Sequence, residues 1–176
     1  MRRAAEELRA AGVESVAIAL LHADVNPEHE IAVESLLREV GFERIVRSSA
    51  LAARLGLLAR AQTATIDAFI GPVLHDYLRR AGRHASLRIM TSAGGLSTPE
   101  RFRATEGLLS GPAGGVAGAL GAGRAEGEDR IISFDMGGTS TDVSRLDDGL
   151  AYRFEQRIEG ATALAPAVAI ETVAAG

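Results

Sequence analysis

Apolar residues at Ala4, Leu8 and Ala11 set a helical spacing that Gly12 ends, with no capping residue ahead of it, so the first element reads as already under way at residue 1. Val16 to Leu21 is a continuous apolar run of strand length, as expected of a strand covered on both faces. Asn26-Pro27 then supplies an N-cap and a first-turn proline, and Val33, Leu36, Leu37 and Val40 repeat at i, i+3, i+4, i+7 before Gly41. With a short strand at Ile45-Val46, this stretch predicts a βαβ unit. A longer helix is predicted from about Ala61 to Arg80, with Ile66, Phe69, Ile70, Val73, Leu74, Tyr77 and Leu78 on its broad apolar face. Pro72 lies inside it and predicts a kink.

The second half changes period. Leu87 to Met90 reads as a strand, and Ser97-Thr98-Pro99-Glu100 as the capped start of another helix. A helix of mostly small residues follows Ser110 and runs to about Leu120. Glu126 to Asp129 are polar and mark a boundary between lobes. Ile131 to Ser144 reads IISFDMGGTSTDVS, two β-forming runs around a glycine pair. Asp147-Asp148-Gly149 is a hairpin turn signal, and Leu150 to Ile158 alternates as a third strand would. The stretch to Gly176 is apolar and shows no cap.

At 176 residues, 47% hydrophobic and 24% charged, the chain has the composition of a globular protein with room for one sizeable domain or two small lobes. Aromatic residues make up 4% and Trp is absent, so the core must be built from Ala, Val, Leu and Ile. The net charge is −4 and the 19 basic residues form no stripe, which argues against a nucleic-acid partner. The absence of cysteine excludes disulfides and thiolate metal sites. No apolar run approaches bilayer-spanning length and the N-terminus lacks a signal-peptide core, so no membrane partner and a cytoplasmic location are expected.

Chemistry concentrates in the glycine pairs. Phosphate binding needs backbone N–H groups converging on an anion, and a side chain at those positions blocks the approach. Gly137 and Gly138, followed by Thr139, Ser140 and Thr141, offer amides and hydroxyls; Asp135 and Asp142 at either end are hard oxygen ligands for Mg²⁺ or can orient a water. The pattern is neither a P-loop nor a dinucleotide fingerprint, and a glycine-rich hairpin with no ligand remains open beside the phosphate reading. Gly114 and Gly115 lie near a helix start, where free N–H groups attract anions; close packing against a neighbour is the alternative. His22, His29, His75 and His84 have no metal-ligand spacing, and Ser110 has no serine-hydrolase motif around it.

In order and wording, five of these segments resemble the hydantoinase A/5-oxoprolinase family, which includes N-methylhydantoinase A and acetone carboxylase β-type subunits. They are Asn26 to Glu30, Pro72 to Arg80, Ser92 to Leu96, Leu108 to Val116, and Asp135 to Ser144, the last two being long and specific. The resemblance covers nearly the whole chain. It implies an α/β, actin-like ATPase (ribonuclease H-like) fold, present in part: residues 1–126 as the C-terminal part of the first lobe, and 127–176 as the start of the second with its phosphate hairpin.

The resemblance also implies an enzyme that couples ATP cleavage to opening a cyclic amide or imide, with Mg²⁺ as metal. On that reading Asp135 is the metal-side or water-orienting carboxylate, Asp142 a second carboxylate, and Gly137 to Thr141 with Gly114 and Gly115 the nucleotide contacts. The family's first hairpin, of the form DxGGTxTD, has no counterpart here, so a partner subunit or the rest of a longer chain is expected to supply it. Near the other end Ala169 and Glu171 stand where the family carries aspartate and histidine. A degenerate, non-catalytic subunit or scaffold is therefore one alternative, and a small-molecule kinase of the same fold class is another.

Overall fold

The structure is a computed structural model that describes residues 1–83, 86–158 and 160–174. Two compact units divide the chain: Met1–Ala81 with Arg157–Leu164, and Gly82–Gln156 with Ala165–Gly176.

The first unit contains the expected βαβ unit. Helix α1 (Arg2–Ala10) is followed by β1 (Ser15–Ile18), α2 (Glu28–Val40) and β2 (Arg44–Arg47), and the two strands pair in parallel from Ser15↔Arg44 to Ile18↔Arg47. Both predicted ends of α2 are made by the residues the sequence singles out. The Glu28 N–H donates to Asn26 Oδ1 at 3.0 Å. Gly41 adopts φ 101°, its N–H donates to the Arg38 carbonyl, and the Phe42 N–H reaches back to the Leu37 carbonyl, a Schellman ending that only a residue free of Cβ takes without strain. Phe42 and Leu37 then join Ala5 and Ile18 in the core of this unit.

A buried polar network sits beyond the ends of the two strands. Glu30, fully buried, accepts the Leu20 N–H at 3.0 Å, the Ser48 hydroxyl at 2.6 Å and the Ser49 N–H at 2.9 Å. Arg60, 1% exposed, donates to Asp24 at 2.8 Å and to the carbonyls of Arg54 and Leu20 at 2.9 and 2.8 Å. Burial alone would raise the Glu30 carboxyl, but these donors outweigh it and hold it below the ordinary glutamate value.

After the short helix α3 (Ser48–Leu51), helix α4 (Leu57–Ala81) carries Pro72 within a continuous helical span. Its buried face is only partly the one predicted: of the expected stripe Leu78 is buried and Ile66 and Leu74 are half-buried. Arg60, Thr63, Ala64, Asp67, Ala68, Gly71 and Leu78 turn inward, whereas Phe69 is 82% and Val73 73% exposed, and Ile70 and Tyr77 are exposed beside them. The cause is the partner. The helix lies on β1, β2 and β9 (Ala161–Ala163), the strand paired with β8 (Gln156–Ile158), and small residues let those backbones approach. Gln62 and Thr63 also accept the N–H groups of Thr162 and Leu164, at 3.1 and 2.9 Å.

The second unit begins with a hairpin of β3 (Ile89–Met90) and β4 (Leu96–Ser97). The helix expected after Ser97 does not form. Arg101 and Phe102 both donate to the Thr98 carbonyl in a single turn, a short 3₁₀ segment follows at Ala104–Glu106, and Phe102 is buried against Gly107. Helix α5 (Ser110–Ala125) outlasts its expected end near Leu120. It packs Ala113, Val116 and Leu120 against Leu146 and Val168.

Strands β5 (Arg130–Met136), β6 (Ser140–Asp147) and β11 (Glu171–Ala174) make an antiparallel sheet in the order β11-β6-β5. Two further expectations change here. Asp148 and Gly149 do turn, at φ 54° and 156°, but β7 (Tyr152–Arg153) leaves to pair with β10 (Ala167–Val168). The third strand of the sheet comes instead from residues 171–174, with Glu171↔Val143 and Thr172↔Asp142 in register. Among the described residues no helix is long and apolar enough to cross a membrane.

Candidate phosphate and cation site

The stretch between β5 and β6 is a tight hairpin. Gly137 N–H donates to the Ser140 carbonyl at 2.9 Å, leaving Gly138 and Thr139 at the exposed tip. Neither glycine has positive φ. A Cβ at Gly137 would make a tight 3.3 Å contact with the Ser140 carbonyl oxygen, whereas Gly138 faces open space.

The ladder brings the two predicted carboxylates together. Asp135 pairs directly with Asp142 across β5 and β6. Because Gly137 and Ser140 form a hydrogen-bonded pair, the alternation of an antiparallel ladder makes Asp135 and Asp142 another, with Cα atoms about 5.5 Å apart. Side chains directly opposite share one face, so two like charges stand side by side. Asp142 is half-buried and takes a hydrogen bond from the Thr172 hydroxyl at 2.7 Å; Asp135 is exposed.

Their face of the sheet is the one covered by α5. Ile131 and Leu146, two steps of the same alternation further along, pack against its core residues. A groove of about 370 Å³ runs between them, lined by Gly115, Val116 and Ala119 from the helix and Ser133, Asp135 and Asp142 from the strands. The predicted pair Gly114 and Gly115 therefore splits. A Cβ on Gly114 would touch Met90 at 3.5 Å, whereas one on Gly115 would lie 4.0 Å from Asp135 Oδ2. Both amides lie past the first turn of α5, within its ladder, so room is what they offer.

The first turn itself is largely closed. Leu109 N–H donates to Ser92 Oγ at 2.9 Å, Ser110 N–H donates to the Gly107 carbonyl at 3.2 Å, and Pro112 has no N–H. The buried Ser92 hydroxyl in turn donates to the Glu106 carbonyl at 2.8 Å, which makes it a latch for that turn.

The donor set is oxygen throughout, which suits a hard cation such as Mg²⁺. Among the described residues no cluster of three or more His, Cys, Asp or Glu could hold a metal, so an ion at Asp135 and Asp142 would complete its shell from water and phosphate. Mg²⁺ is commonly held this way, by one or two carboxylates and the substrate's own oxygens. His22 and His29 are exposed and distant in sequence from this hairpin, and His84 lies outside the described residues. The residue that sequence reading missed is Thr172. Its signal was present in Glu171-Thr172-Val173, a short β-forming run, but nothing local says that it pairs with a strand 30 positions earlier.

Comparison with known proteins identifies the family. The sequence model of the hydantoinase/oxoprolinase family matches residues 60–176, and that of the hydantoinase/oxoprolinase N-terminal region matches residues 1–41. The 5-oxoprolinase 1 of Arabidopsis thaliana is 41% identical over 94% of this chain, which spans 14% of that protein's length. Among solved structures, the ATP-dependent caprolactamase from Pseudomonas jessenii superposes with a TM-score of 0.90 at 25% identity, covering 99% of this chain and 27% of the other. Nucleotide-free acetone carboxylase gives 0.78 at 26% identity, covering 99% and 26%. With its α/β units and its Gly-Gly hairpin between paired aspartates, the chain belongs to the hydantoinase/oxoprolinase family.

Proposed function

We propose that this chain carries one phosphate-contacting hairpin of an ATP-dependent enzyme that opens a cyclic amide or imide. The observation that supports it is the direct pairing of Asp135 with Asp142 at the base of the Gly-Gly turn, beside the space left by Gly115. The exposed turn presents the Gly138 and Thr139 amides and the Thr139 hydroxyl to a phosphate, while Asp135 and Asp142 hold the cation side. Mg²⁺, when bound, neutralises charge on the phosphate oxygens. Phosphorylating the amide oxygen would convert a resonance-stabilised carbonyl into an electrophile that water can attack.

On this reading residues 1–126 finish the first lobe and 127–176 open the second. A longer chain or a partner subunit supplies the other hairpin and the cyclic substrate's pocket, and the protein works in the cytoplasm, where ATP is abundant. Amide NMR of the chain titrated with Mg-ATP tests it. The signals of Gly137 to Thr141 move, Mg²⁺ is required, and Asp135→Asn abolishes the movement. Signals that stay in place at millimolar Mg-ATP would defeat the reading.

A non-catalytic role in an assembly is the second reading, and one observation favours it: Glu171, where the family carries histidine, is engaged in an ion pair with Arg153. Turnover of ATP by an assembly containing this chain, lost on Asp135→Asn, excludes it.

A further inference from the structure

We propose that Thr172 is a positioning residue that sets the Asp142 carboxylate relative to Asp135, an inference that rests on the phosphate-site reading above. Thr172, Asp142 and Asp135 form one row across β11, β6 and β5, because Thr172↔Asp142 and Asp142↔Asp135 are both in direct register. Side chains in such a row share a face. The Thr172 hydroxyl has one proton to donate, and it donates it to Asp142 Oδ1 at 2.7 Å. That bond draws one oxygen of Asp142 toward β11, away from the like charge of Asp135 on the opposite neighbour. The other oxygen of Asp142 takes no donor from the described residues.

Geometry requires such a tether. In a strand an aspartate takes χ1 near 180° or near −60° with similar ease, and its terminal torsion is broad, so neither rotamer preference nor the strand backbone fixes where the carboxylate stands. Mutual repulsion of directly opposed carboxylates would otherwise turn both toward solvent. A cation shared between them needs the reverse, two oxygens kept at a fixed separation before it arrives. Thr172 does this from a strand whose four residues are all exposed, so the bond is not part of a buried core. Its carrier strand contributes nothing else to the row.

Thr172→Val keeps the β-branched shape and removes the hydroxyl, and Thr172→Ser restores the hydroxyl. The test uses the chain as it stands and two readouts. Three-bond couplings from Asp142 Cγ to its own backbone nitrogen and carbonyl carbon report its χ1. The parent and Thr172→Ser hold one rotamer, and Thr172→Val averages over several, with thermal unfolding unchanged. The second readout is the Mg-ATP titration of the Gly137 to Thr141 amides. Thr172→Val weakens binding by about five- to tenfold, the scale of one hydrogen bond, while Thr172→Ser stays within about twofold. A single Asp142 rotamer in Thr172→Val overturns the inference whatever the nucleotide does. If rotamer averaging appears but the parent binds no Mg-ATP, the positioning of Asp142 stands and the phosphate-site reading falls.

Discussion

Glu30→Gln removes one charge and one acceptor from a fully buried polar group of the first unit, at almost constant volume. In the parent, Oε1 accepts from Leu20 N–H and the Ser48 hydroxyl, and Oε2 accepts from Ser49 N–H. A glutamine keeps its oxygen on the side with two donors, which turns its NH₂ group toward the Ser49 N–H. Donor then faces donor, and an unsatisfied buried donor costs about 1–3 kcal/mol. The two surviving bonds also fall from charge-assisted to neutral strength, about 1 kcal/mol each. The sum is about 3–5 kcal/mol. With a urea slope of about 2 kcal/mol/M for a chain of this size, the midpoint falls by roughly 1.5–2.5 M. Far-UV circular dichroism reads this through the helices of the same unit. Glu43→Gln, at an exposed position, is the control and shifts the midpoint by no more than about 0.25 M. If Glu30→Gln also stays within that limit, the network is not what holds Leu20 and Ser49 in place.

Acid tests the same residue from the other side. Glu30 is held below its ordinary value against the effect of burial, and so is Glu34, whose own burial is outweighed by hydrogen bonds from Arg38 and Arg47. A depressed carboxyl contributes stability that is complete above its unfolded pKa of ~4.3 and is lost as pH falls through the folded value, so the parent's urea midpoint should drop below about pH 4 and that of Glu30→Gln should drop less. Gly115→Ala should raise stability by about 0.5–1 kcal/mol, because alanine is the better helix former and its Cβ meets Asp135 only at ordinary contact. The same methyl narrows the groove, so Mg-ATP shifts at the hairpin should shrink; unchanged shifts would mean that ligand does not approach from the α5 side. Gly123→Ala on the same helix should behave oppositely and lower stability by about 1–3 kcal/mol, since its Cβ would fall 2.0 Å from Ile131 Cδ1; a stabilised variant would contradict the packing of α5 on β5.

Elements closed by near neighbours in sequence were legible without the fold. Asn26 and Gly41 bound α2 through bonds that span two to five residues, and the β5–β6 hairpin follows from a glycine pair between β-forming runs. The pairing of Asp135 with Asp142 is a consequence of that hairpin alone, so the centre of the candidate site was readable in one short segment. Bonds of long range decided the rest. Phe69, Ile70, Val73 and Tyr77 of the apolar stripe of α4 stayed outward because the opposite face carries Gln62 and Thr63 to backbone donors 100 and 101 residues away. The capping signal at Ser97 to Glu100 ended in a single turn beside the buried Phe102. Gly114 and Gly115, adjacent and chemically identical, were separated into a packing role against Met90 and an opening beside Asp135 by which element each faced. Thr172 reached Asp142 only when β11 closed the sheet. Sequence by itself specifies torsions, caps and turns, whose partners lie within a few residues; which face is buried, and which hydroxyl meets which carboxylate, is settled by contacts between segments whose pairing no local pattern encodes.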